Sequence, residues 1–229
     1  MSRNIFLIIL LSVLMFVFYL SMQDINELYN TSLKEYFAEF AYPETGSRNI
    51  VTAILLDYRL FDSLFEAGIL LIAVSGVIWI SKHDIEEKNA QFMIDKYKTP
   101  DLFVTFSRLV YPLMLAFGFY VIINGHLSPG GGFQGGAIVA TAILILYYID
   151  SEKETDIGMI VTIEKFLYIG ILLFASLSIF TRGEFFTNPF TSPSTDVKAI
   201  YLVVLNIMVG FKVALGLWTI FTAFLKEGR

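Results

Sequence analysis

Long apolar segments separated by short polar stretches dominate the pattern of the chain. A helix of about 20 apolar residues is long enough to cross the hydrocarbon core of a membrane. The pattern therefore predicts an all-α, polytopic membrane protein with about six transmembrane helices. The predicted crossings are residues 5–20, 62–80, 101–124, 132–149, 164–181 and 197–225.

The first 60 residues combine one crossing with shorter helical segments. We interpret Ile5–Leu20 as an uncleaved crossing; a signal peptide is the alternative, but no small-x-small cleavage site follows the run. Apolar residues at i, i+3 and i+4 spacing over residues 24–41 predict an amphipathic helix on the membrane surface or on a partner protein. Tyr42-Pro43 and Gly46 are expected to end this helix. A shorter helical stretch is predicted over residues 49–59.

A charged stretch that ends at Pro100 divides the chain. We predict three parts: a two-helix module with the surface helix (1–81), a cytoplasmic connector (82–100) and a four-helix domain (101–229). Orientation follows from the lysines and arginines of the short loops. With the N-terminus inside, the inner side carries Arg3, Lys82, Lys88, Lys96, Lys98, Lys153, Lys226 and Arg229, and the outer side carries Lys34, Arg48, Arg59 and Arg182, with Lys198 at its edge. This bias favours cytoplasmic termini.

The run Gly-His-Leu-Ser-Pro-Gly-Gly-Gly-Phe-Gln-Gly-Gly at Gly125–Gly136 separates the third and fourth crossings. Proline lacks an N–H donor and glycine does not resist bending, so one regular helix does not contain this run. Irregular backbone is tolerated at membrane depth only where protein or a water-filled cavity covers it. We therefore predict a buried helix break. Its structural residues are Pro129, Gly130, Gly131, Gly132, Gly135 and Gly136.

Composition narrows the possible chemistry. Only 16% of the residues are charged, whereas a soluble domain carries roughly a quarter, which supports the membrane assignment. The absence of cysteine excludes disulfides and thiolate sites, and the two histidines are too few for a His-rich metal site. We predict no metal and no cofactor. The net charge of −5 without a basic stripe argues against nucleic acid as a partner.

Ionisable residues inside the predicted crossings are the candidates for function, because a charge at the membrane centre costs at least ~3 kcal/mol on insertion scales. Lys212 lies near the middle of the last crossing. It belongs either to an ion or proton path or to a packed pair with a carboxylate of a neighbouring subunit. Nearby Gly210 and Ala214, like Gly132 and Gly136, form small-xxx-small pairs that let helices approach closely.

Acidic residues cluster at the start of the second crossing. Glu66 lies one turn inside the apolar run, where desolvation favours proton exchange, although an interfacial role is equally open. Asp57 and Asp62 are further candidates for ion translocation. A structural role is the favoured alternative, since Arg59 and Asp62 are spaced i, i+3 for an ion pair.

Three more ionisable residues are candidates, and Arg108 and Glu164 are expected to take part in charge pairing. His126 beside the broken backbone is either a proton relay near neutral pH or a structural donor. Arg108 is expected to extend to the inner interface. Glu164 opens the fifth predicted crossing and is expected to mark the interface, with charge pairing as its role.

Residues 101–229 resemble the MrpB subunit of the Mrp-type Na+/H+ antiporters. The matching positions are Arg108, Pro112, Gly118-Phe119-Tyr120, the run Gly125–Gly136, Asn206, Gly210, Lys212-Val213 and Gly216. Residues 49–81 resemble the C-terminal region of the MrpA subunit of these antiporters and the related small subunit of membrane-bound hydrogenases. Here the matching positions are Asp57, Arg59, Phe61-Asp62, Leu64 and Glu66, with Leu60 and Ser63 in place of the usual glycine and threonine.

These resemblances imply a membrane subunit that contributes to sodium and proton translocation in the cytoplasmic membrane of a bacterium or archaeon. Glu66, His126 and Lys212 would line a hydrated path. The implied partners are other membrane subunits, either of an antiporter or of a hydrogenase-like redox complex, together with Na+, H+ and lipid. A scaffold subunit without an ion path is the alternative, and neither hypothesis makes the chain itself an enzyme.

Overall fold

The computed structural model describes residues 11–13, 15–16, 19, 33–87, 101–149, 157–183, 185–190 and 194–227. The statements below concern these residues. They form the helices α1 (Leu33–Thr45), α2 (Ile50–Ala53), a π-helical turn (Ile54–Tyr58), α3 (Leu60–Glu87), α4 (Asp101–Ile123), α5 (Gly132–Ile149), α6 (Ile157–Ala175), α7 (Ser178–Arg182) and α8 (Thr195–Glu227). The predicted all-α, polytopic architecture is confirmed.

Four helical segments are long and apolar enough to cross a membrane, and a fifth apolar helix is shorter. The four are Leu60–Ser81, Asp101–Ile123, Ile157–Arg182 and Thr195–Phe224, and the shorter one is Gly132–Tyr147. They correspond to the second to sixth predicted crossings. The first predicted crossing and residues 88–100 of the predicted connector lie largely or wholly outside the described residues.

The chain divides into two compact units, Met1–Phe40 and Ala41–Arg229. In the first unit, the ring of Tyr36 packs against Phe37 and Phe40 within one turn of α1, with ring centroids 5.8 and 5.0 Å apart. The second unit contains the membrane-spanning helices and all residues discussed below as candidates for function. The division predicted at residues 81 and 101 stays a prediction.

The expected end of α1 at Tyr42-Pro43 is wrong. The helix continues to Thr45 with Pro43 inside it. The Thr45 hydroxyl donates to the Ala41 carbonyl at 2.7 Å, and the Gly46 N–H donates to the Tyr42 carbonyl at 2.8 Å, so the turn around the proline keeps its hydrogen bonds. Gly46 ends the helix as predicted, because its φ of +77° is accessible to glycine without a steric penalty.

Two further helix boundaries differ from the prediction. Helix α3 continues to Glu87, into the predicted connector, and α6 begins at Ile157 rather than at Glu164. The charge of Glu164 suggested a membrane interface, but the apolar residues before it continue the same helix. At about 1.5 Å per residue, Glu164 lies about 10 Å from the start of α6.

Helix α8 forms the centre of the second unit. Within its most apolar segment 56% of the residues are buried, against 22% or less for the other three long segments. Helices α3, α4, α5 and α6 all pack against it. The main apolar core joins side chains of α8 with those of α3 and α6, including Leu64, Ile171, Tyr201 and Leu205.

Glycines bring α5 and α8 into close backbone contact. A Cβ atom at Gly132 would lie 2.6 Å from the Asn206 carbonyl oxygen, and one at Gly136 would lie 2.6 Å from the Gly210 carbonyl oxygen. Contacts this short exclude any side chain at these positions. The close approach predicted from the small-xxx-small pattern is confirmed for this helix pair.

We predict that Gly136→Ala lowers the stability of the protein by about 1–3 kcal/mol, the usual cost of overpacking a well-packed interior. The temperature at which the detergent-solubilised protein aggregates should fall. Gly170→Ala is the matched control, because a Cβ there meets only the flexible end of Met208 at 3.2 Å. Equal melting temperatures for the two variants would contradict the proposed backbone contact.

Candidate functional site

A buried ion pair connects the three helices of the main core. Lys212 Nζ on α8 lies 3.2 Å from Glu164 Oε1 on α6, and neither side chain has any exposed surface. The same ammonium donates a hydrogen bond of 2.6 Å to the Ala67 carbonyl on α3. The structure therefore gives Lys212 a carboxylate within its own chain and not on a neighbouring subunit. Glu164 does not mark the membrane interface.

Gly216 makes room for the carboxylate. It lies one turn after Lys212 on α8, and a Cβ atom there would be 3.0 Å from Glu164 Oε1 and 3.4 Å from the side chains of Leu70 and Val74. The pair is thus enclosed by apolar side chains on one side and by the α8 backbone on the other. In such surroundings each charge depends on the other.

The hydrogen bonding of the pair is incomplete. Within the described residues, neither carboxylate oxygen of Glu164 accepts a hydrogen bond, although Oε1 faces the ammonium. Lys212 has three N–H donors and gives one of them to Ala67. A buried ion pair with unsatisfied lone pairs and donors is not optimised for stability, because the desolvation cost is repaid only when all of them are bonded.

The polar groups of the break between α4 and α5 are bonded by side chains from two other elements. Asn49, before α2, donates through Nδ2 to the Gly125 and Ser128 carbonyls at 2.9 Å each, and the Thr52 hydroxyl donates to Gly125 at 2.6 Å. On the other side, Asn206 Oδ1 accepts from the Gly132 N–H at 2.8 Å. The predicted helix break is therefore confirmed, but it is buried only in part: Gly125 and Gly131 are buried, whereas Leu127 and Pro129 are exposed.

The glycines of the run have separate roles. Gly130, with φ of +134°, adopts a backbone conformation that L side chains avoid, and Pro129 and Gly131 lie in the same irregular stretch. Gly132, Gly135 and Gly136 belong to α5 and serve helix packing.

A small cavity lies beside the break. Its volume is about 20 Å³, enough for one water molecule, and its polar lining includes Thr52, Ser63, Gln134 and Asn206. Asn206 Nδ2 is buried and has no hydrogen-bond partner within the described part of the chain. Because Oδ1 is occupied by the Gly132 N–H, the amide orientation is fixed and Nδ2 requires an acceptor.

His126 is held at the edge of the break. Its carbonyl accepts from the Ser47 hydroxyl at 3.0 Å and from the Asn49 N–H at 3.1 Å. Nδ1 lies 3.2 Å from the Ile123 carbonyl, which only accepts, so the Nδ1–H tautomer is favoured and Nε2 is an acceptor. From Asn206, which contacts the break, to Lys212 the rise along α8 is about 9 Å, so His126 and the buried pair are separate sites.

Asp57 lies on the π-helical turn and is partly buried. Its Oδ1 accepts from the Asn188 N–H at 2.8 Å. Burial raises the pKa of Asp57 to about 6, with Glu44 acting in the same direction, while the Asn188 N–H and the charges of Arg182 and Lys198 oppose the shift. A carboxyl group with this pKa exchanges protons near neutral pH. π-helical turns are frequent at functional sites.

The other charged candidates lie on the surface. Arg59 and Asp62 form an ion pair at the start of α3, with 67% and 48% of their side chains exposed. Arg108 is exposed on α4 and, with Tyr111, borders an open groove. Glu66 is exposed on α3, although the next residue, Ala67, is buried and its carbonyl accepts a hydrogen bond from Lys212. Within the described residues, no group of three His, Cys, Asp or Glu side chains is placed to bind a metal.

Sequence reasoning missed the partnership of Glu164 with Lys212 and the capping role of Asn49, Thr52 and Asn206. The signals were present but ambiguous. A glutamate inside the apolar run 157–175 requires a cation, and a glycine four residues after Lys212 leaves space for one carboxylate.

Comparisons with known proteins divide the chain into two segments. A family model described as a domain related to the MnhB subunit of Na+/H+ antiporter matches residues 102–219, and one described as MbhE, a subunit of MBH, matches residues 2–82.

Among curated proteins, an uncharacterized protein of Methanocaldococcus jannaschii is 30% identical over 197 residues, which cover 75% of this chain and 74% of that protein. A probable K(+)/H(+) antiporter A/B subunit of Rhizobium meliloti is 24% identical over 75% of this chain, but only 19% of that protein is covered.

Two solved structures have similar folds. One belongs to the membrane-bound sulfane sulfur reductase, an archaeal respiratory membrane complex, with a TM-score of 0.64, 26% identity, and coverage of 98% of this chain and 99% of that chain. The other belongs to the Mrp complex from Dietzia sp., with a TM-score of 0.60, 20% identity, and coverage of 93% of this chain and 25% of that chain. At 20% identity the latter similarity concerns the fold alone.

A double-substitution cycle tests the energetics of the buried pair. Lys212→Met leaves an uncompensated buried carboxylate and should lower stability by about 3–5 kcal/mol, whereas Lys212→Met combined with Glu164→Leu should recover most of that loss. Thermal unfolding of the solubilised protein measures both effects. A double variant that is as unstable as the single variant would show that the two charges do not interact.

The pH dependence of stability tests Asp57. Its folded-state pKa of about 6 exceeds the ordinary value of 3.8, so ionisation costs folding free energy as pH rises from about 4 to about 7. This loss, about 2–3 kcal/mol at 1.36 kcal/mol per pKa unit, should be absent in Asp57→Asn. Asp62→Asn, on the exposed pair, is the control and should keep the wild-type pH profile of the melting temperature.

Proposed function

Because the chain belongs to the family of domains related to the MnhB subunit of Na+/H+ antiporters, and is a membrane subunit of an Mrp-type module, we propose that it contributes directly to sodium and proton translocation. The observation that carries this proposal is the enclosed pair of Lys212 and Glu164, which the chain retains inside a membrane-spanning bundle with incomplete hydrogen bonding. Ionisable groups at such depth are functional by default.

The pair supports proton exchange because it has two protonation states, and the net charge of the pair is zero in both. In one state an ammonium faces a carboxylate; transfer of one proton from Lys212 to Glu164 gives an amine and a carboxylic acid. The 3.2 Å separation of Nζ and Oε1 is short enough for this transfer after a small side-chain motion. A cation that approaches Glu164 favours the carboxylate, which links sodium movement to the position of the proton.

The end of the bundle that contains the break supplies candidates for the rest of the path. Asp57, with a pKa of about 6, can gain and lose a proton near neutral pH, His126 presents Nε2, and Asn206 lines the water-sized cavity beside the break. A rise of about 9 Å from Asn206 to Lys212 requires further water or side-chain motion during transport. Glu66 serves this path from the surface of α3, towards neighbouring subunits, whereas Asp62 is held in the exposed ion pair with Arg59.

The proposal also includes the division of the chain into modules and its orientation in the membrane. The two family matches support residues 1–81 and 101–229 as two modules. The protein is a multi-pass protein of a prokaryotic plasma membrane, and we place both termini in the cytoplasm because of the lysine and arginine bias. The chain acts as a transport subunit without a catalytic role in any redox reaction of its complex.

One observation favours a second candidate function, a scaffold without an ion path. Lys212 and Glu164 are fully enclosed, and Lys212 also bonds the α3 backbone, so the pair joins three helices irrespective of transport. The scaffold hypothesis requires only that the helices stay together. Transport measurements on a variant that is stable but uncharged separate the two functions.

We expect the double substitution Lys212→Met with Glu164→Leu to reduce sodium-dependent proton movement at least tenfold in vesicles that contain the assembled complex. The charges that alternate between protonation states are then missing, while the helix contacts remain. Removal of the exposed pair by Arg59→Gln with Asp62→Asn is the matched control and should change transport less than twofold.

Wild-type transport by the uncharged double variant would establish the scaffold function and end the claim for the pair. Native gels of the same vesicles show whether the neighbouring subunits are retained. Mass spectrometry of the copurified subunits identifies the host complex as an antiporter or a redox-driven complex.

A further inference from the structure

A stripe on the exposed face of α3 begins with an acidic residue that has no ion-pair partner within the described residues. Its members are spaced i, i+3, i+7, i+10 and i+14, so they form one straight line along the helix; they are Glu66, Ile69, Ala73, Gly76 and Ile80. Ile69 and Ile80 are 66% and 59% exposed. We call this set the Glu66 stripe.

Glu66 lies in the membrane-spanning part of α3. It is six residues from the start of the Leu60–Ser81 span, about 9 Å along the helix, and its short side chain cannot reach water as a lysine side chain does. Within the described residues no ion pair or hydrogen bond involves its carboxylate. A carboxylate facing lipid at this depth is strongly disfavoured, so a complementary group must cover it.

Rotation of α3 cannot turn Glu66 inward. The opposite face of the helix is fixed by the buried side chains of Leu64, Ala67 and Val74 and by the bond from Lys212 to the Ala67 carbonyl. The group that compensates the Glu66 carboxylate must therefore be brought to α3 by another helix. The apolar run Ile5–Leu20 at the N-terminal end contains no lysine, arginine or histidine, so it cannot supply a cation at membrane depth.

The rest of the stripe fits a closely packed helix. Ala73 and Gly76 are small and exposed, and a Cβ atom at Gly76 would meet nothing within 4 Å. Small residues on a membrane helix let a second backbone approach closely. The alternation of three and four residues along the stripe is also the spacing at which two helices pack side by side.

We propose that the Glu66 stripe binds a transmembrane helix of another subunit, and that this helix places a basic side chain against Glu66. The charge complementarity selects the partner and fixes its depth, while Ala73 and Gly76 receive its backbone. The proposed contact lies close to the buried pair, because Lys212 donates a hydrogen bond to the carbonyl of Ala67, the residue after Glu66. The interface does not depend on proton exchange at the buried pair of Lys212 and Glu164.

Charge reversal in the complete complex tests the proposal. Glu66→Lys should reduce the recovery of one neighbouring membrane subunit at least tenfold, whereas Glu66→Gln, which still hydrogen-bonds, should reduce it less than threefold. Asp62→Lys, a charge reversal one turn earlier in the exposed Arg59 pair, is the matched control and should leave recovery unchanged. Full recovery with Glu66→Lys would overturn the proposal.

Photo-crosslinking identifies the occupant of the stripe. With benzoylphenylalanine in place of Ile69, the expected product joins this chain to a helix of a different subunit, and the crosslinked peptide should contain lysine, arginine or histidine. Replacing that basic residue by glutamate should restore assembly of Glu66→Lys. Crosslinks to lipid alone, to a second copy of this chain or to residues 5–20 would each contradict the proposal, and none of them bears on the transport assay of Lys212 and Glu164.

Discussion

The need to compensate charge without water governs the arrangement of α3, α6 and α8. Lys212 contributes a cation that Glu164 neutralises, and the Ala67 carbonyl accepts a hydrogen bond from the same ammonium. Three helices are thereby fixed in depth and rotation relative to each other. Apolar packing alone is weakly directional in a membrane, since lipid tails compete for the same surfaces. This polar junction contributes to the register of the three helices, as does the hydrogen bond from the Tyr168 hydroxyl on α6 to the Leu64 carbonyl on α3.

The glycine-rich break is subject to the same constraint, but here the groups that need compensation are backbone dipoles and not charged side chains. Its carbonyls and N–H groups cannot remain unpaired at membrane depth, and side chains from α2 and α8 bond them. Asn49 and Asn206 hold the break from two sides. The break is therefore a rigid part of the fold that positions His126 and encloses the neighbouring cavity.

The sequence was sufficient for the features that repeat along the chain. Apolar run length predicted the crossings, and the proline and glycines predicted the break, because both effects depend on local composition. The pairing of charged side chains between helices could not be predicted in the same way. The sequence predicts an interface position for Glu164, because only the folded bundle brings α8 close to it. Gly216 permits this approach, but a single glycine in an apolar run does not indicate which side chain it will face. The path of α1 through Pro43 likewise depends on the local bonds of Thr45 and Gly46.

The hydrogen bond between Lys212 and Ala67 has a consequence for how such a polypeptide is assembled. Its two residues lie on opposite sides of the stretch between Glu87 and Asp101, so the contact joins distant regions of one chain. Covalent linkage raises the effective concentration of the two regions for each other, typically into the millimolar range. The hydrogen bond between Lys212 and Ala67 could also hold α3 and α8 together if the two regions were separate polypeptides. A single polypeptide also fixes the stoichiometry, since one α3 is present with every α8.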